Sequence, residues 1–337
     1  MRTFNGYIKG VNLGGWLSQC PHTIERYETF ITEEDIAKIA SWGCDHIRLP
    51  VDYELLENHD GVQTEYGISY IQRAVDWCGK HGLNMIIDLH KAPGFFFTHE
   101  HNPFFEEEPV HERFYNIWER LATAFGKYSD RVAFELLNEI TDPSYCDPWN
   151  EYSNVAIKRI RAIAPDTYIL VGQYWHNSVS TVKHIAPPAD DKIVFNFHCY
   201  EPMLFTHQGA SWTKGMPHDL DMEYPATKEE YIRVSRESGF WSSVNNMPLD
   251  ALSPEFFEWL FESAIAHAEK HNAPLYCGEY GVFDRADLES ELRWYADIHA
   301  VFEKYGIGRA AWSYKQMGFG LIGERIEPVQ EKLIKLL

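Results

Sequence analysis

Two glutamates near the ends of two predicted β-strands are the residues whose type and position most directly suggest chemistry. Glu139 closes the segment FELLNE, and Glu279 lies in LYCGEYG. Two carboxylates that face each other across a cleft are the minimum for cleaving a glycosidic bond. The pair therefore suggests glycoside hydrolysis, provided that the fold brings the two side chains together.

The separation of the two carboxyl groups distinguishes two mechanisms. About 5 Å indicates double displacement with retention, whereas about 6.5 to 9.5 Å leaves room for a water molecule and indicates inversion. A nucleophile must stay ionised, which Arg48 and the hydroxyl of Tyr200 can secure. We expect the pKa of the partner acid to be raised by its carboxylate neighbour. Chain order alone does not say which glutamate takes which role.

Short β-branched runs alternate with amphipathic segments of helical period, and we count eight of each. The predicted strands are 7–11, 46–50, 84–89, 132–137, 168–172, 193–197, 275–278 and 308–312. This pattern predicts a (β/α)8 TIM barrel that forms a single catalytic domain over residues 1–337. The alternative is an open doubly wound sheet, but no GxGxxG follows the first strand.

The interval between the sixth and seventh predicted strands is unusually long. It contains residues 201–253, which are rich in Trp, Met, His and Pro. We interpret this segment as a subdomain inserted between strand 6 and helix 6 that forms a lid or a wall of the cleft. A passive surface loop is the alternative.

In a barrel of this kind the site is built where the strands end. Besides the two glutamates, the polar and aromatic residues predicted there are Arg48, His90, Asn138, His198, Tyr200 and Trp312. Any one of them can be structural, but six strands that deliver such groups to one rim indicate a shared site. We interpret Glu135 as a buried polar partner inside the barrel, because it lies deeper than Glu139 on the same side of its strand.

Aromatic residues make up 15% of the chain, with 11 tryptophans, and flat apolar faces suit pyranose rings. The candidate platforms are Trp312, Trp175, Trp212 and the phenylalanines at 95–97. Asn138 is placed to bind a sugar hydroxyl beside the scissile carbon. We expect Lys315 to hydrogen-bond a neighbouring sugar.

The formal net charge of −20 indicates a neutral ligand, because it repels nucleic acid, anionic membranes and acidic polysaccharides. We therefore expect no nucleic-acid or membrane partner. No apolar stretch is long enough for a membrane span or a signal peptide, which predicts a cytoplasmic protein, or a secreted one if a leader has been removed.

The sequence indicates neither a metal site nor a set of disulfide bonds. The six cysteines are far apart, and most of them are expected to be buried in the core. The one tight histidine cluster is His99 with His101 in a predicted loop. A metal-dependent hydrolase built on those two histidines is a weak alternative. We expect neither a metal nor an organic cofactor.

Seven segments resemble motifs of glycoside hydrolase family 5, and together they span essentially the whole chain. They are GVNLGGWL (10–17), HIRLP (46–50), IIDLHKAPG (86–94), ELLNE (135–139), NFHCYEP (196–202), GEYG (278–281) and AWSYKQM (311–317). Within the family the chain is most similar to single-domain cellulases of the endoglucanase C type, whose sixth strand is likewise followed by a large inserted subdomain.

The resemblance implies a retaining mechanism with Glu139 as general acid/base and Glu279 as nucleophile. The family's other active-site positions correspond to Arg48, His90, Asn138, His198, Tyr200 and Trp312. The chain departs from its relatives at Lys91 in HKAPG and in the last loop, KQMGFGL. Subsite preference is therefore the property that we expect to differ.

These inferences predict a monomeric, retaining endo-β-1,4-glucanase that acts on cellulosic or mixed-linkage β-glucan. One alternative is the same chemistry on mannan, glucomannan, xyloglucan or β-1,3-glucan. Another is exo-cleavage of short oligosaccharides by a β-glucosidase. From a different class, a non-catalytic sugar-binding barrel is disfavoured because both carboxylates are present.

Overall fold

Eight parallel strands close into a barrel in chain order, with β8 paired to β1. A computed structural model describes the backbone of residues 1–337 and all side chains except those of residues 108 and 109. The strands are β1 (Lys9–Asn12), β2 (His46–Asp52), β3 (Asn84–Lys91), β4 (Val132–Glu135), β5 (Ile169–Val171), β6 (Ile193–Cys199), β7 (Leu275–Tyr280) and β8 (Gly308–Ala311). The predicted (β/α)8 barrel is confirmed.

The strands of the site differ in length from the prediction. β2, β3, β6 and β7 each extend two residues further than predicted, so that His90, His198 and Glu279 lie inside strands. The strand pairing is irregular next to two of them, because the register shifts between Phe197 and His198 in β6 and between Cys277 and Tyr280 in β7. β4 ends earlier, at Glu135, which leaves Glu139 in an irregular segment beyond the strand.

Twelve α-helices and five 3₁₀ turns connect the strands. The helices are α1 (Ile24–Thr29), α2 (Glu33–Ser41), α3 (Tyr53–Leu56), α4 (Gly67–His81), α5 (Glu108–Phe125), α6 (Cys146–Ile163), α7 (Tyr174–Asn177), α8 (Met203–Thr206), α9 (Lys228–Ser238), α10 (Pro254–Lys270), α11 (Leu288–Tyr305) and α12 (Gln330–Ile334). The 3₁₀ turns are Pro103–Phe105, Gly126–Tyr128, Pro143–Tyr145, Val179–His184 and Ser243–Asn246.

The connection between β5 and β6 departs from the regular alternation. It contains only the four-residue α7 and a 3₁₀ turn, which packs against β6 and α10 where a long helix is expected. Trp175, His176 and Asn177 all have positive φ, a conformation that does not continue into a right-handed helix. Pro187 and Pro188 further limit helix formation before β6.

The long helices cover the barrel through the apolar stripes that their period predicts. In α5 the buried stripe consists of Phe114, Ile117, Trp118, Leu121 and Phe125. Each such side chain contributes about 1.5–3 kcal/mol through removal from water. At the start of α2, the backbone N–H of Thr32 donates to Asp35 at 2.9 Å, as the predicted cap and first-turn acid require.

The inward-facing side chains change from apolar to polar along the barrel axis. The amino-terminal end is filled by Phe4, Tyr7, Ile86, Ala133, Leu170, Val194, Tyr276 and Ala310. Two residues further along their strands, the buried polar layer consists of Asn12, Arg48, Asp88, Glu135 and Asn196. Because alternate residues of a strand face the same side, this layer lies directly beneath the carboxyl-terminal rim.

The segment 201–253 is attached to the barrel by hydrogen bonds. The indole N–H of Trp294, in α11, donates to the backbone carbonyl of Glu201 at 2.9 Å. The backbone N–H of Tyr224 donates to Ser290 at 3.0 Å, and its phenol donates to Asp297 at 2.8 Å. The segment therefore lies against α11. That it forms a subdomain acting as a lid or cleft wall stays a prediction.

All six cysteines are free, and Cys44, Cys78, Cys199 and Cys277 are buried, as expected for small core residues. Among the residues that the structure describes, no helix has the length and apolar character needed to cross a membrane.

Candidate active site

The guanidinium of Arg48 is fully buried at the centre of the polar layer. Its Nε and Nη2 donate to the two carboxylate oxygens of Glu135, each at 2.7 Å, and Nη2 lies 3.0 Å from Asp88. Burial by itself lowers the pKa of Arg48, but the surrounding carboxylates outweigh burial and raise this pKa well above its ordinary value. The side chain is therefore a permanent cation that is paired from below.

The same guanidinium also reaches the residues above it. Nη1 donates to Oε1 of Glu279 at 2.8 Å, and Nη2 donates to Oδ1 of Asn138 at 2.9 Å. Because the amide oxygen of Asn138 faces Arg48, its Nδ2 points away and has no hydrogen-bond partner among the residues whose side chains are described. Arg48 thus fixes the orientation of two predicted site residues at once.

Glu279 receives a donor on each carboxylate oxygen. Oε1 accepts from Arg48, and Oε2 accepts from the hydroxyl of Tyr200 at 2.9 Å. Burial raises the pKa of Tyr200, and the negative charge of Glu279 raises it further. The phenol therefore stays protonated and donates. Two donors of this kind hold the carboxylate of Glu279 in one orientation.

Glu139 is held by two imidazoles. Nδ1 of His198 donates to Oε1 at 2.9 Å, and Nδ1 of His176 donates to Oε2 at 3.1 Å. The backbone of Glu139 has a φ of +46°, which is uncommon for a residue other than glycine. This left-handed turn after β4 directs the side chain over the barrel mouth.

The pKa of Glu139 differs from the sequence-based expectation. Burial raises it, but the hydrogen bonds from His176 and His198 outweigh burial and lower the pKa below its ordinary value. The expectation that the second carboxylate raises the pKa of the proton donor is wrong, because two imidazoles contact Glu139 directly.

The two carboxylates lie close together. Nδ1 of His198, which contacts Glu139, is also 3.6 Å from Oε2 of Glu279. One ligand atom from each of Glu139, His198 and Glu279 lies within 4.8 Å of the others. Carboxylate oxygens at this distance match the short spacing of retaining enzymes rather than the 6.5 Å or more typical of inversion.

His90 and Trp312 form one wall of the site. Nδ1 of His90 donates to Asp88 at 2.7 Å, and the imidazole stacks on the indole of Trp312 with 5.7 Å between ring centres and 6° between planes. Nε2 of His90 is buried without a hydrogen-bond partner. The predicted pair therefore occurs as one stacked unit anchored to the polar layer.

The predicted platforms Trp175 and Trp212 are 55% and 58% exposed. Trp212 packs edge-on against Phe283 at 4.7 Å and lies 6.5 Å from Phe319, whose ring is 5.8 Å from that of Tyr200. Trp175 immediately precedes His176, which contacts Glu139. Both tryptophans therefore adjoin the residues around the two glutamates.

Two other candidates are engaged elsewhere. Nζ of Lys315 lies 3.1 Å from Asp35 and 5.1 Å from the ring centre of Phe30, and the Lys315 side chain is 23% exposed. Phe95 is buried and packs edge-on against Phe104, which makes its prediction as a sugar platform wrong. The run 95–97 contains both core and loop positions, and composition does not distinguish them.

His176 is the site residue that the sequence interpretation missed. It lies in QYWHN, shortly after the predicted end of strand 5. A polar aromatic residue just beyond a strand end was the available signal. The signal was weak because positive φ at Trp175, His176 and Asn177, which turns the side chain toward Glu139, leaves no periodic pattern.

Two groups have spacings that a cation can bridge. One is Glu139, His198 and Glu279, and the other is His22, Asp52 and Glu54. Protein cations already contact both groups: Arg48 donates to Glu279, and Lys91 donates to Glu54. His99 and His101 belong to neither group. Catalysis without a metal stays a prediction.

Residues 7–318 match the family model for cellulase, glycosyl hydrolase family 5. The chain belongs to this family. Like other members, this family 5 chain is a glycoside hydrolase of the cellulase type. It is 44% identical to cellodextrinase A of Ruminococcus flavefaciens over 306 residues, which cover 90% of the chain and 84% of that protein. It is 39% identical to endoglucanase C of Acetivibrio thermocellus over 336 residues, covering 97% of each.

Solved structures agree with the family 5 assignment. The cellulose synthase subunit Z of Clostridioides difficile aligns with a TM-score of 0.77 and 26% identity, over 98% of this chain and 99% of that one. Cel5A of Thermotoga maritima, solved in complex with mannotriose, has a TM-score of 0.77 and 22% identity, over 98% and 97% of the two chains. The second likeness concerns the fold alone.

Replacing Arg48 by Met should destabilise this family 5 chain strongly. The change leaves Glu135 and Asp88 buried without their cation, for which we expect a loss of about 3–5 kcal/mol in the free energy of unfolding, measured by urea denaturation. The matched control is Arg73→Met, which removes the exposed pair with Glu28 and should cost less than about 1 kcal/mol. Equal stability of the two variants would contradict a central role for Arg48.

Proposed function

We propose that the chain is a retaining endo-β-1,4-glucanase that hydrolyses cellulosic or mixed-linkage β-glucans without a cofactor. The observation that carries this proposal is the pair of carboxylates within 4.8 Å, one of which is clamped by Arg48 and Tyr200. Family membership supports the reaction class, and the short spacing supports retention.

In the first step of the proposed mechanism, the ionised Glu279 attacks the anomeric carbon. Glu139 transfers its proton to the glycosidic oxygen, so that the leaving sugar departs as an alcohol and a glycosyl ester forms on Glu279. In the second step, Glu139 accepts a proton from the water that attacks this ester. The sugar is released, and both glutamates return to their starting states.

Unpartnered polar atoms support a hydroxyl-rich ligand. Nδ2 of Asn138 and Nε2 of His90 have no protein partner, and sugar hydroxyls would supply one. Trp312 beside His90 offers a ring face at the cleavage point, and the exposed Trp175 and Trp212 suit sugars on either side. We still propose that Lys315 contacts a sugar at the margin of the cleft. To do so, a sugar hydroxyl has to replace Asp35 as the partner of the Lys315 ammonium group.

The substrate is proposed to be neutral and the enzyme to act as a monomer. The excess of 50 acidic over 30 basic residues disfavours nucleic acid, anionic lipid surfaces and acidic polysaccharides as partners. A neutral β-glucan carries no charge that this surface would repel.

A second candidate is a preference for short cello-oligosaccharides. The observation that favours it is the 44% identity to a protein named cellodextrinase A, over 90% of the chain. Such an enzyme would use the same two glutamates and the same retaining chemistry. It would differ in how many sugars the cleft binds, which depends on the loops.

Product profiles on hydroxyethylcellulose, mixed-linkage glucan, glucomannan, laminarin and cellohexaose, all of which are neutral, should separate these possibilities. For an endoglucanase we expect the viscosity of hydroxyethylcellulose to fall well before reducing ends accumulate, and the products to retain the β-configuration by NMR. Oligosaccharide cleavage without loss of viscosity would favour the second candidate. Release of glucose alone, or inverted products, would contradict the proposal.

Glu279→Ala should reduce turnover to background with natural and activated substrates, because the attacking carboxylate is lost.

Glu139→Ala should slow cellotetraose hydrolysis by about 10²–10⁴-fold. The variant should still be glycosylated by dinitrophenyl β-cellobioside, because the leaving group of this substrate needs no proton. Azide should then restore turnover by replacing the activated water. Glu324→Ala, an exposed position, is the control. Near-normal activity of Glu279→Ala would refute the assignment.

Trp212→Ala should raise KM for cellohexaose by about 3- to 10-fold with little change in kcat, since stacking contributes about 0.5–1.5 kcal/mol. Trp241→Ala is a matched control, because Trp241 is 61% exposed and lies in a cavity with Ser180 and Trp259, apart from the two glutamates. If both variants behave alike, Trp212 is not a sugar platform.

A further inference from the structure

The two histidines that contact Glu139 differ in their surroundings. His198 belongs to β6, and its side chain is 2% exposed. His176 belongs to the loop after β5, and its side chain is 52% exposed. The contact to Oε1 is therefore enclosed in the barrel, whereas the contact to Oε2 comes from a side chain that is open to the cleft.

The loop that carries His176 is fastened to the segment that carries Glu139. The backbone N–H of Trp175 donates to Thr141 at 3.1 Å, and that of His176 donates to Ile140 at 2.9 Å. These two carbonyls belong to the residues directly after Glu139. These backbone hydrogen bonds thus hold the imidazole of His176 next to the carboxylate of Glu139.

This placement of His176 requires an uncommon backbone conformation. Residues 175, 176 and 177 have φ values of +52°, +55° and +55°. Such conformations are strained in residues other than glycine and persist only when the surroundings enforce them. The strain is consistent with a function for the side chain that it positions.

The proposed reaction requires Glu139 to change protonation state. It must be an acid in the first step and a carboxylate in the second. Two imidazole N–H groups, one on each oxygen, stabilise the carboxylate and therefore suit the second step. In the first step one oxygen must carry a proton, and the more exposed contact, at Oε2, is the one that can be released.

We propose that His176 is a positioning residue that holds Glu139 as a carboxylate while the leaving-group site is empty and releases Oε2 when a sugar occupies that site. The proposal rests on the proposed function. In the glycosyl-enzyme, the departed sugar allows the contact to re-form, and Glu139 is then poised to accept the proton of the attacking water.

The other groups around Glu139 leave this role to the two histidines. They are His198 from β6, Tyr200 directly after β6, His207 after α8, and Glu279 from β7, which lies on the other side of His198. Burial lowers the pKa of His207 to about 4, so this ring is neutral near pH 7. Against His176 itself, the ring of Phe97 packs edge-on at 6.4 Å.

The ionisation of His176 is linked to that of Glu139. Burial lowers the pKa of His176, but its hydrogen bond to Glu139 outweighs burial and raises the pKa above its ordinary value. The pair consequently favours the ionised form of both partners. Removing the imidazole should raise the pKa of Glu139 and keep the acid form to higher pH.

Two substitutions test the role without imposing new backbone strain. His176→Gly removes the side chain and accepts a positive φ, and His176→Asn keeps a hydrogen-bond donor in a residue that tolerates the left-handed region. With dinitrophenyl β-cellobioside, kcat reports the second step, provided that glycosyl-enzyme accumulates. With cellotetraose, the alkaline limb of kcat/KM reports the acid form of Glu139 in the free enzyme.

We expect kcat on the dinitrophenyl substrate to fall about tenfold in His176→Gly and to stay within about threefold of wild type in His176→Asn. The alkaline limb on cellotetraose should move up by about one pH unit in His176→Gly, and by a smaller but measurable amount in His176→Asn, whose neutral amide keeps a donor for Oε2 but carries no positive charge. If His176→Gly does not fold, the shift in His176→Asn alone decides the question. A profile that superimposes on wild type in each folded variant would overturn the proposal.

A double-mutant cycle separates positioning of Glu139 from a general structural effect. In a Glu139→Gln background, adding His176→Gly should change kcat on the dinitrophenyl substrate by less than about twofold, since the partner is already neutral. A tenfold loss in that background would also overturn the proposal. Failure of the proposed function is recognised separately, by a wild type that cleaves neither substrate or by an active Glu279→Ala.

Discussion

The buried charge of Arg48 is the constraint on which the rest of the site depends. A guanidinium without access to water must be paired, and its hydrogen bonds join Glu135 below to Glu279 and Asn138 above. These partners belong to β4, β7 and the segment after β4. The cation therefore transmits the rigidity of the barrel to the carboxylate that we propose as nucleophile. Its position beneath the rim explains why a polar layer occurs where a barrel of this size can otherwise be packed with aliphatic side chains.

The two glutamates differ in the kind of group that holds them. Glu279 is fixed by a permanent cation and by a phenol that stays protonated, whereas Glu139 is held by the imidazoles of His176 and His198. A retaining cycle needs one carboxylate that stays ionised and one that alternates between acid and base. The contacts thus support an assignment of roles that chain order left open. They agree with the assignment that the family resemblance implies.

The strands and the residues near their ends were predictable, because buried β-branched runs carry a clear signal and polar residues at their ends are exceptional. On that basis Arg48 and Tyr200 are expected beside the nucleophile, which the family resemblance alone identifies as Glu279, and both contact Glu279 in the structure. The contact of His176 with Glu139 was not predictable, because it depends on consecutive positive φ angles that leave no periodic pattern. The ion pair between Lys315 and Asp35 joins residues that are far apart in the sequence. The pattern of hydrophobic residues does not predict such a pairing. The missing helix after β5 reflects the same local backbone and two prolines.

The division between strands and loops also follows from what each contact has to do. A contact that must persist through both steps is held more firmly when its side chain belongs to a strand, because strands on both sides fix the backbone. Arg48 in β2 is an example. A contact that must break when a sugar arrives cannot be held in this way, since the strand would have to move with it. His176 meets this need because its own backbone is fastened beside Glu139, while its half-exposed ring is free to turn into the cleft. The loop therefore combines accurate placement with release.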